Sequence, residues 1–240
     1  MILKRLFGSS IGRKILVATT GLLLIGFVVG HMLGNWNMFF GREEMNAYAA
    51  FLKSIPGPLW TARIGLLIVF VLHVIIALKL KMESKAARPV AYKSKNTQRA
   101  SLASRFMAQT GLLILAFLIY HLLHFTLGQI EQGGFALTDD KGRHDVYGMV
   151  IHSFSNPLIV TSYIIAMFFL AMHLIHAVQS MLQTFGPFVS PHNTRYWDYS
   201  SFLEMRRCVL KAACVVVDGL KDEVLVSTML RYITQTMVAP

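Results

Sequence analysis

Four long apolar stretches mark the chain, Ile15–Phe40, Ile64–Leu80, Phe106–Leu127 and Leu158–Leu182, each long enough to cross about 30 Å of hydrocarbon. Backbone N–H and C=O groups find no partner in lipid, so each stretch predicts a helix that closes its own hydrogen bonds. Ser155, Asn156 and Pro157 precede the fourth stretch, a capping group followed by proline in the first turn, and they mark the sharpest boundary in the chain. The first stretch follows Lys4, Arg5, Arg13 and Lys14 and ends at Asn35, Trp36 and Asn37. No small-residue cleavage motif interrupts it, so it reads as a retained span and not as a removed leader. The expected fold is an all-α integral membrane protein, an antiparallel transmembrane helical bundle over residues 1–186 with four clear spans. A charged C-terminal segment, 187–240, follows it, a degenerate fifth helix being one reading of it.

Composition agrees. Of 240 residues 55% are hydrophobic and 15% charged, and the mean hydropathy is +0.53, which excludes an ordinary soluble domain. The net charge of +11 does not form the continuous basic stripe of a nucleic-acid interface, because apolar spans interrupt it. Its distribution reads as topology instead. Lys79, Lys81, Lys85, Arg88, Lys93, Lys95, Arg99 and Arg105 oppose only Glu83 between spans two and three, whereas the other connections carry Glu43, Glu44, Glu131, Asp139, Asp140 and Asp145. The positive-inside rule then puts the N-terminus and the basic loop on the cytoplasmic side. Beyond Ser190 the charges Arg206, Arg207, Lys211, Asp218, Lys221, Asp222 and Glu223 make Cys208–Val226 a poor span, since each central charge costs about 2.5–3.5 kcal/mol. A surface-lying or partner-packed helix is expected there, and Cys208 and Cys214 lack the partners that a cluster or disulfide framework would need. No internal repeat is evident.

Every span carries histidine: His31, His73, His121 with His124, and His173 with His176. Ionisable groups in hydrocarbon are costly and mark function, and neutral imidazoles from two helices are the usual axial ligands of a b-type haem. At about 1.5 Å per residue, His31 lies roughly 26 Å beyond Lys14 and His121 roughly 24 Å beyond Arg105, towards the outer face. His73 lies about 9 Å before Lys79 and His173 about 15 Å before Gln183, in the inner half. Depth therefore suggests two pairs but does not choose between His121 and His124, or between His173 and His176. Gly26, Gly30 and Gly34 on the first span give a small-residue face that admits a flat ligand or a neighbouring helix.

Several motifs together resemble the di-haem cytochrome b membrane anchor of succinate dehydrogenase and fumarate reductase, over about Ile11 to Gly186. They are Gly30-His31 with Asn35, the stretch from Glu43 to Pro56 with Asn46 and Ala49-Ala50-Phe51, and Thr110-Gly111 leading to Tyr120-His121. The run from His144-Asp145 through Val146-Tyr147-Gly148-Met149-Val150, then Ser155-Asn156-Pro157 and Ala171-Met172-His173, completes the set. The resemblance implies axial histidines at His31, His73, His121 and His173, with His31 and His121 on a distal haem and His73 and His173 on a proximal one. It leaves His124 and His176 as groups behind the axial ligands or on the propionate side of the haems. Family members have a fifth span after the fourth histidine, and the charged C-terminal third departs from that pattern.

The activity so implied is electron transfer through two haem b groups between the iron–sulfur subunit of a flavoprotein-containing complex and quinone, menaquinone being the expected type. Lipid is the remaining partner, in a bacterial cytoplasmic membrane. Dicarboxylate chemistry would belong to the partner subunits, since no Gly-x-Gly-x-x-Gly and no cysteine cluster is present. Glu43 and Glu44, just beyond the first span, are the candidate groups for proton exchange with quinone. Two other readings share these features: the cytochrome b anchor of a hydrogenase or formate dehydrogenase, and a transporter whose histidines relay protons without iron.

Overall fold

The computed structural model describes residues 6–87 and 102–185. The segment 187–240, with Cys208, Cys214 and the expected fifth helix, lies outside the described residues, as does the basic loop from Arg88 to Lys95 and Arg99. Among the described residues the chain is all-α, with four helices long and apolar enough to cross a membrane in a multi-pass protein. Their order is α1 (Ser10–Asn35), α2 (Arg42–Ser54), α3 (Pro56–Ala86), α4 (Met107–His121), α5 (Val146–Phe154) and α6 (Pro157–Phe185), with single turns at Leu102–Arg105 and Gln132–Phe135.

Local chemistry sets the boundaries. Ser9 Oγ accepts the Gly12 N–H at 3.0 Å and starts α1. A 3-10 turn, Trp36–Phe40, then tightens the exit, and Gly41 at φ 105° ends it. Asn156 Oδ1 accepts the Leu158 N–H at 3.0 Å, so the predicted cap and first-turn proline do open α6. Helix α3 is longer than expected: Pro56 occupies its first turn and it runs past the lysines to Ala86. Its 31 residues span about 46 Å, which carries Lys79–Lys85 beyond a hydrocarbon layer. The third span is not uniformly α-helical. After His121 the chain widens into a π-helical turn, Leu122–Thr126, a feature that frequently accompanies functional sites.

The two short helices arise from signals of their own. Helix α2 has Glu43 and Glu44 in its first turn and Lys53 in its last, matching the helix dipole. Asp145 caps α5 by accepting the Gly148 N–H at 2.9 Å.

Polarity is inverted relative to a water-soluble fold. The largest fully buried side chains are His124, Asn46, Thr110, Asp145 and Ser153, while Leu33, Leu67 and Leu158 are exposed. In lipid an apolar surface carries no penalty, and helix association relies on packing and interhelical hydrogen bonds.

The chain divides into two compact units. Of the described residues the first holds 6–32, 55–87, 102–112 and 172–185; the second holds Leu33–Ser54 and Leu113–Ala171. In the first, Arg13 pairs with Glu83 at 2.7 Å while Thr20 meets His73, so α1 and α3 run antiparallel. In the second, Asn46 locks three segments together. Its amide donates to Asp145 Oδ1 at 2.8 Å and Asp139 Oδ2 at 3.3 Å, and its carbonyl accepts the Tyr147 N–H at 3.1 Å. Arg42 pairs with the other oxygen of Asp145 at 3.1 Å. A β-carbon at Gly148 would collide with the Asp145 carboxylate, so only glycine fits beneath this cap. Asn46→Leu should strand buried groups of Asp145 and Tyr147 and destabilise the protein by about 1–3 kcal/mol, read as a lowered thermal midpoint in detergent against a parent-like Thr61→Val control.

Candidate functional site

The first unit brings together two of the predicted histidines and holds them in the same way. Thr20 Oγ1 on α1 lies 3.0 Å from Nδ1 of His73 on α3, and also 2.7 Å from the Leu16 carbonyl and 3.1 Å from that of Val17. A hydroxyl has one proton to donate. Directed to the helix carbonyl, as Thr often does in a helix, it leaves its oxygen to accept from the imidazole. Nδ1 is then the protonated nitrogen of His73 and Nε2 carries the lone pair. On α4, Thr110 Oγ1 lies 3.0 Å from the Met107 carbonyl and 3.2 Å from Nδ1 of His173 on α6, which fixes the same tautomer.

A glycine follows each threonine. A β-carbon at Gly21 would stand 3.3 Å from Cε1 of His73, and one at Gly111 3.3 Å from Cε1 of His173, so each imidazole packs against bare backbone. No described residue hydrogen-bonds Nε2 of either ring. Two imidazoles on different helices, with Nδ1–H anchored and Nε2 open, form the donor set that an axially ligated iron requires. The residues present thus fit a haem.

His121 and His124 belong to the second unit. Tyr163 Oη on α6 lies 3.3 Å from Nδ1 of His121 and 3.1 Å from Nδ1 of His124. His124 is buried, and its Nε2 lies 3.0 Å from Ser153 Oγ on α5. Both its ring nitrogens are therefore occupied inside the protein. His31 sits in the first unit, stacked on Phe27 with centroids 5.5 Å apart. The glycine face of α1 divides: a β-carbon at Gly34 would come 2.8 Å from Tyr48 Oη, whereas Gly26 and Gly30 have open space beside them.

Thr20, Thr110 and Tyr163 were missed as functional groups from sequence. A signal for two of them exists: Thr20-Gly21 and Thr110-Gly111 each stand eleven residues before a histidine, His31 and His121. Eleven residues are close to three helical turns, so each threonine shares a helix face with that histidine, roughly 16 Å along the axis.

The predicted carboxylates differ from each other. Glu43 pairs with Lys141 at 2.6 Å and Arg143 at 2.8 Å; hydrogen bonds from Arg143 and Lys141 hold it below the usual carboxylate range. Glu44 is exposed. Asp139 organises the adjoining turn. Desolvation pushes its carboxyl up, but the Arg143 N–H and guanidinium, the Lys141 N–H and the Asn46 amide together bring it down to about 2.

No family model, curated protein or solved structure matches the chain.

A carboxyl lowered on folding contributes stability that is complete above its ordinary value and is lost as pH falls through the folded one. For Asp139 the window runs from the ordinary 3.8 down to about 2. The thermal midpoint should fall across that window, and Asp139→Asn should remove part of the slope while lowering stability at neutral pH. Parallel pH profiles for parent and variant would contradict this account of the turn.

Proposed function

We propose that the chain is a di-haem cytochrome b membrane anchor of the succinate dehydrogenase and fumarate reductase type, moving electrons between an iron–sulfur partner and quinone. One observation carries the reading: the paired arrangement in which Thr20 and Thr110 anchor Nδ1 of His73 and His173 and leave Nε2 open. A proton-relaying histidine would gain from partners on both nitrogens, as His124 has, whereas a ligand needs one lone pair kept clear.

In this reading His73 and His173 hold one b-type haem and His31 and His121 the other. The two haems would supply one-electron carriers in series. The N-terminus and the basic connection between α3 and α4 lie on the cytoplasmic side of a bacterial inner membrane, by the distribution of lysine and arginine. That connection is the docking surface for the iron–sulfur subunit, and through it the flavoprotein, by charge complementarity. Of the two carboxylates assigned to proton exchange with quinone, Glu44 carries the role better. Glu43 is tied to two cations, which disfavours proton uptake.

The purified chain should show reduced b-type bands at two haems per polypeptide. Replacing His73 or His173 by alanine should remove one and the same haem, and replacing His31 or His121 the other. His124→Ala should retain both. Thr20→Val and Thr110→Val should alter the low-temperature band of the His73–His173 haem alone, because a group behind a ligand tunes it without forming the site. A parent chain with a featureless visible spectrum would remove the function. Loss of a haem in His124→Ala with both kept in His121→Ala would remove the ligand assignment.

A further inference from the structure

Among the described residues two buried side-chain nitrogens have no hydrogen-bond partner, Arg13 Nε and His176 Nδ1. Both lie in the unit that contains His73 and His173. Arg13 is only 9% exposed. Its two terminal nitrogens are matched, one to Glu83 at 2.7 Å and one to the Phe7 carbonyl at 2.8 Å, yet the third donor of the guanidinium plane faces no acceptor. Buried donors are nearly always satisfied in folded proteins, so an unmatched one points to a group that belongs there.

The two orphans share a location relative to the histidine pair. Arg13 stands seven residues before Thr20, the residue that holds His73, which is roughly 10 Å along α1. His176 is one turn beyond His173 on α6. The unit collects the start of α1, the start of α4 and the end of α6, so in an antiparallel bundle both displacements run towards the same end. Glu83 and Lys85 from the end of α3 face that end too, and Glu83 is already bound to Arg13. What is missing is an acceptor for Arg13 Nε and a partner for His176 Nδ1, which an acceptor also supplies when that nitrogen carries the ring proton.

We propose that Arg13 and His176 bind carboxylates of the prosthetic group held by that pair, which on the proposed haem reading are its two propionates. Arg13 Nε donates to one carboxylate and His176 Nδ1–H to another, in charge-assisted bonds that a planar guanidinium suits well. The group is thereby oriented with its acidic edge towards the start of α1, and its opposite edge towards the interior of the spans.

The test uses the full chain purified in detergent, with haem labelled by carbon-13 at the propionate carboxylates, and reads redox-difference infrared bands of those carboxylates. A second readout is the rate at which each haem is lost to a scavenging apoprotein. Arg13→Gln and His176→Leu should each shift the labelled bands of the haem that His173→Ala lacks, and speed its loss on the order of tenfold. The other haem should be unaffected. Arg13→Lys, which keeps a cation for Glu83 but lacks Nε, should shift the bands as well and serves if the glutamine variant does not fold. Glu83→Gln should leave them in place; a shift there equal to that of Arg13→Gln would show that Arg13 acts only as the partner of Glu83 and would overturn the proposal. Parent-like bands in the Arg13 and His176 variants, with two haems in the parent, would overturn it while leaving the function intact. A parent without haem would instead remove the function on which it rests.

Discussion

An imidazole inside hydrocarbon has two nitrogens to satisfy and no water to satisfy them, and the arrangement of the spans follows from how each histidine meets that requirement. Leaving a polar group unmatched in such surroundings costs several kcal/mol, so a designated neighbour stabilises a buried ring. For His73 and His173 that neighbour is a threonine hydroxyl whose proton is directed to its own helix. The consequence is chemical as well as structural. By accepting from Nδ1, the hydroxyl decides which nitrogen holds the proton, and so which one presents a lone pair.

This requirement also accounts for the glycines. An imidazole reaching a threonine on the neighbouring helix must lie flat against that helix, and a side chain at the next position would stand in its path. At Gly21 and Gly111 an added β-carbon would be tighter against the ring than an ordinary van der Waals contact allows. Threonine to bind and glycine to admit thus form one functional unit, used on α1 for the ring on α3 and on α4 for the ring on α6. In a bundle whose outer surface gains nothing from burial, such contacts contribute a larger share of helix specificity than they would in water.

The spans and the α6 boundary were readable because hydropathy and capping are local properties: Asn156 and Pro157 need only their own neighbours to act. Helices α2 and α5 were less readable as elements, since neither is apolar enough to stand out and both depend on Asn46 and Asp145, which meet from opposite ends of a long sequence interval. The π-helical turn after His121 leaves no mark on hydropathy at all. Among the site residues, the histidines announced themselves by being ionisable in lipid, whereas Thr20 and Tyr163 are ordinary in a membrane helix. Their significance lies in what they face. His121 and His124 also differ in what they face: Ser153 stands behind His124, and nothing in the spacing of the two histidines reveals it.

His73 and His173 in the first unit and His121 and His124 in the second are consequently held by different means. In the first unit each anchor is a residue of a spanning helix, bonded to its own backbone and to one ring, so the geometry depends on helix packing alone. In the second, the contacts form a relay of supports. Asn46 fixes Asp145, Asp145 caps α5, α5 presents Ser153, Ser153 holds His124, and His124 shares the Tyr163 hydroxyl with His121. A phenol with a single proton cannot donate to both rings at once, so the orientation of His121 is linked to that of His124 through one shared hydroxyl. The connecting segments around Asp139 and Asp145 are therefore part of what positions His121, even though they lie far from it along the chain, and the ion pairs there act on a histidine that they never touch.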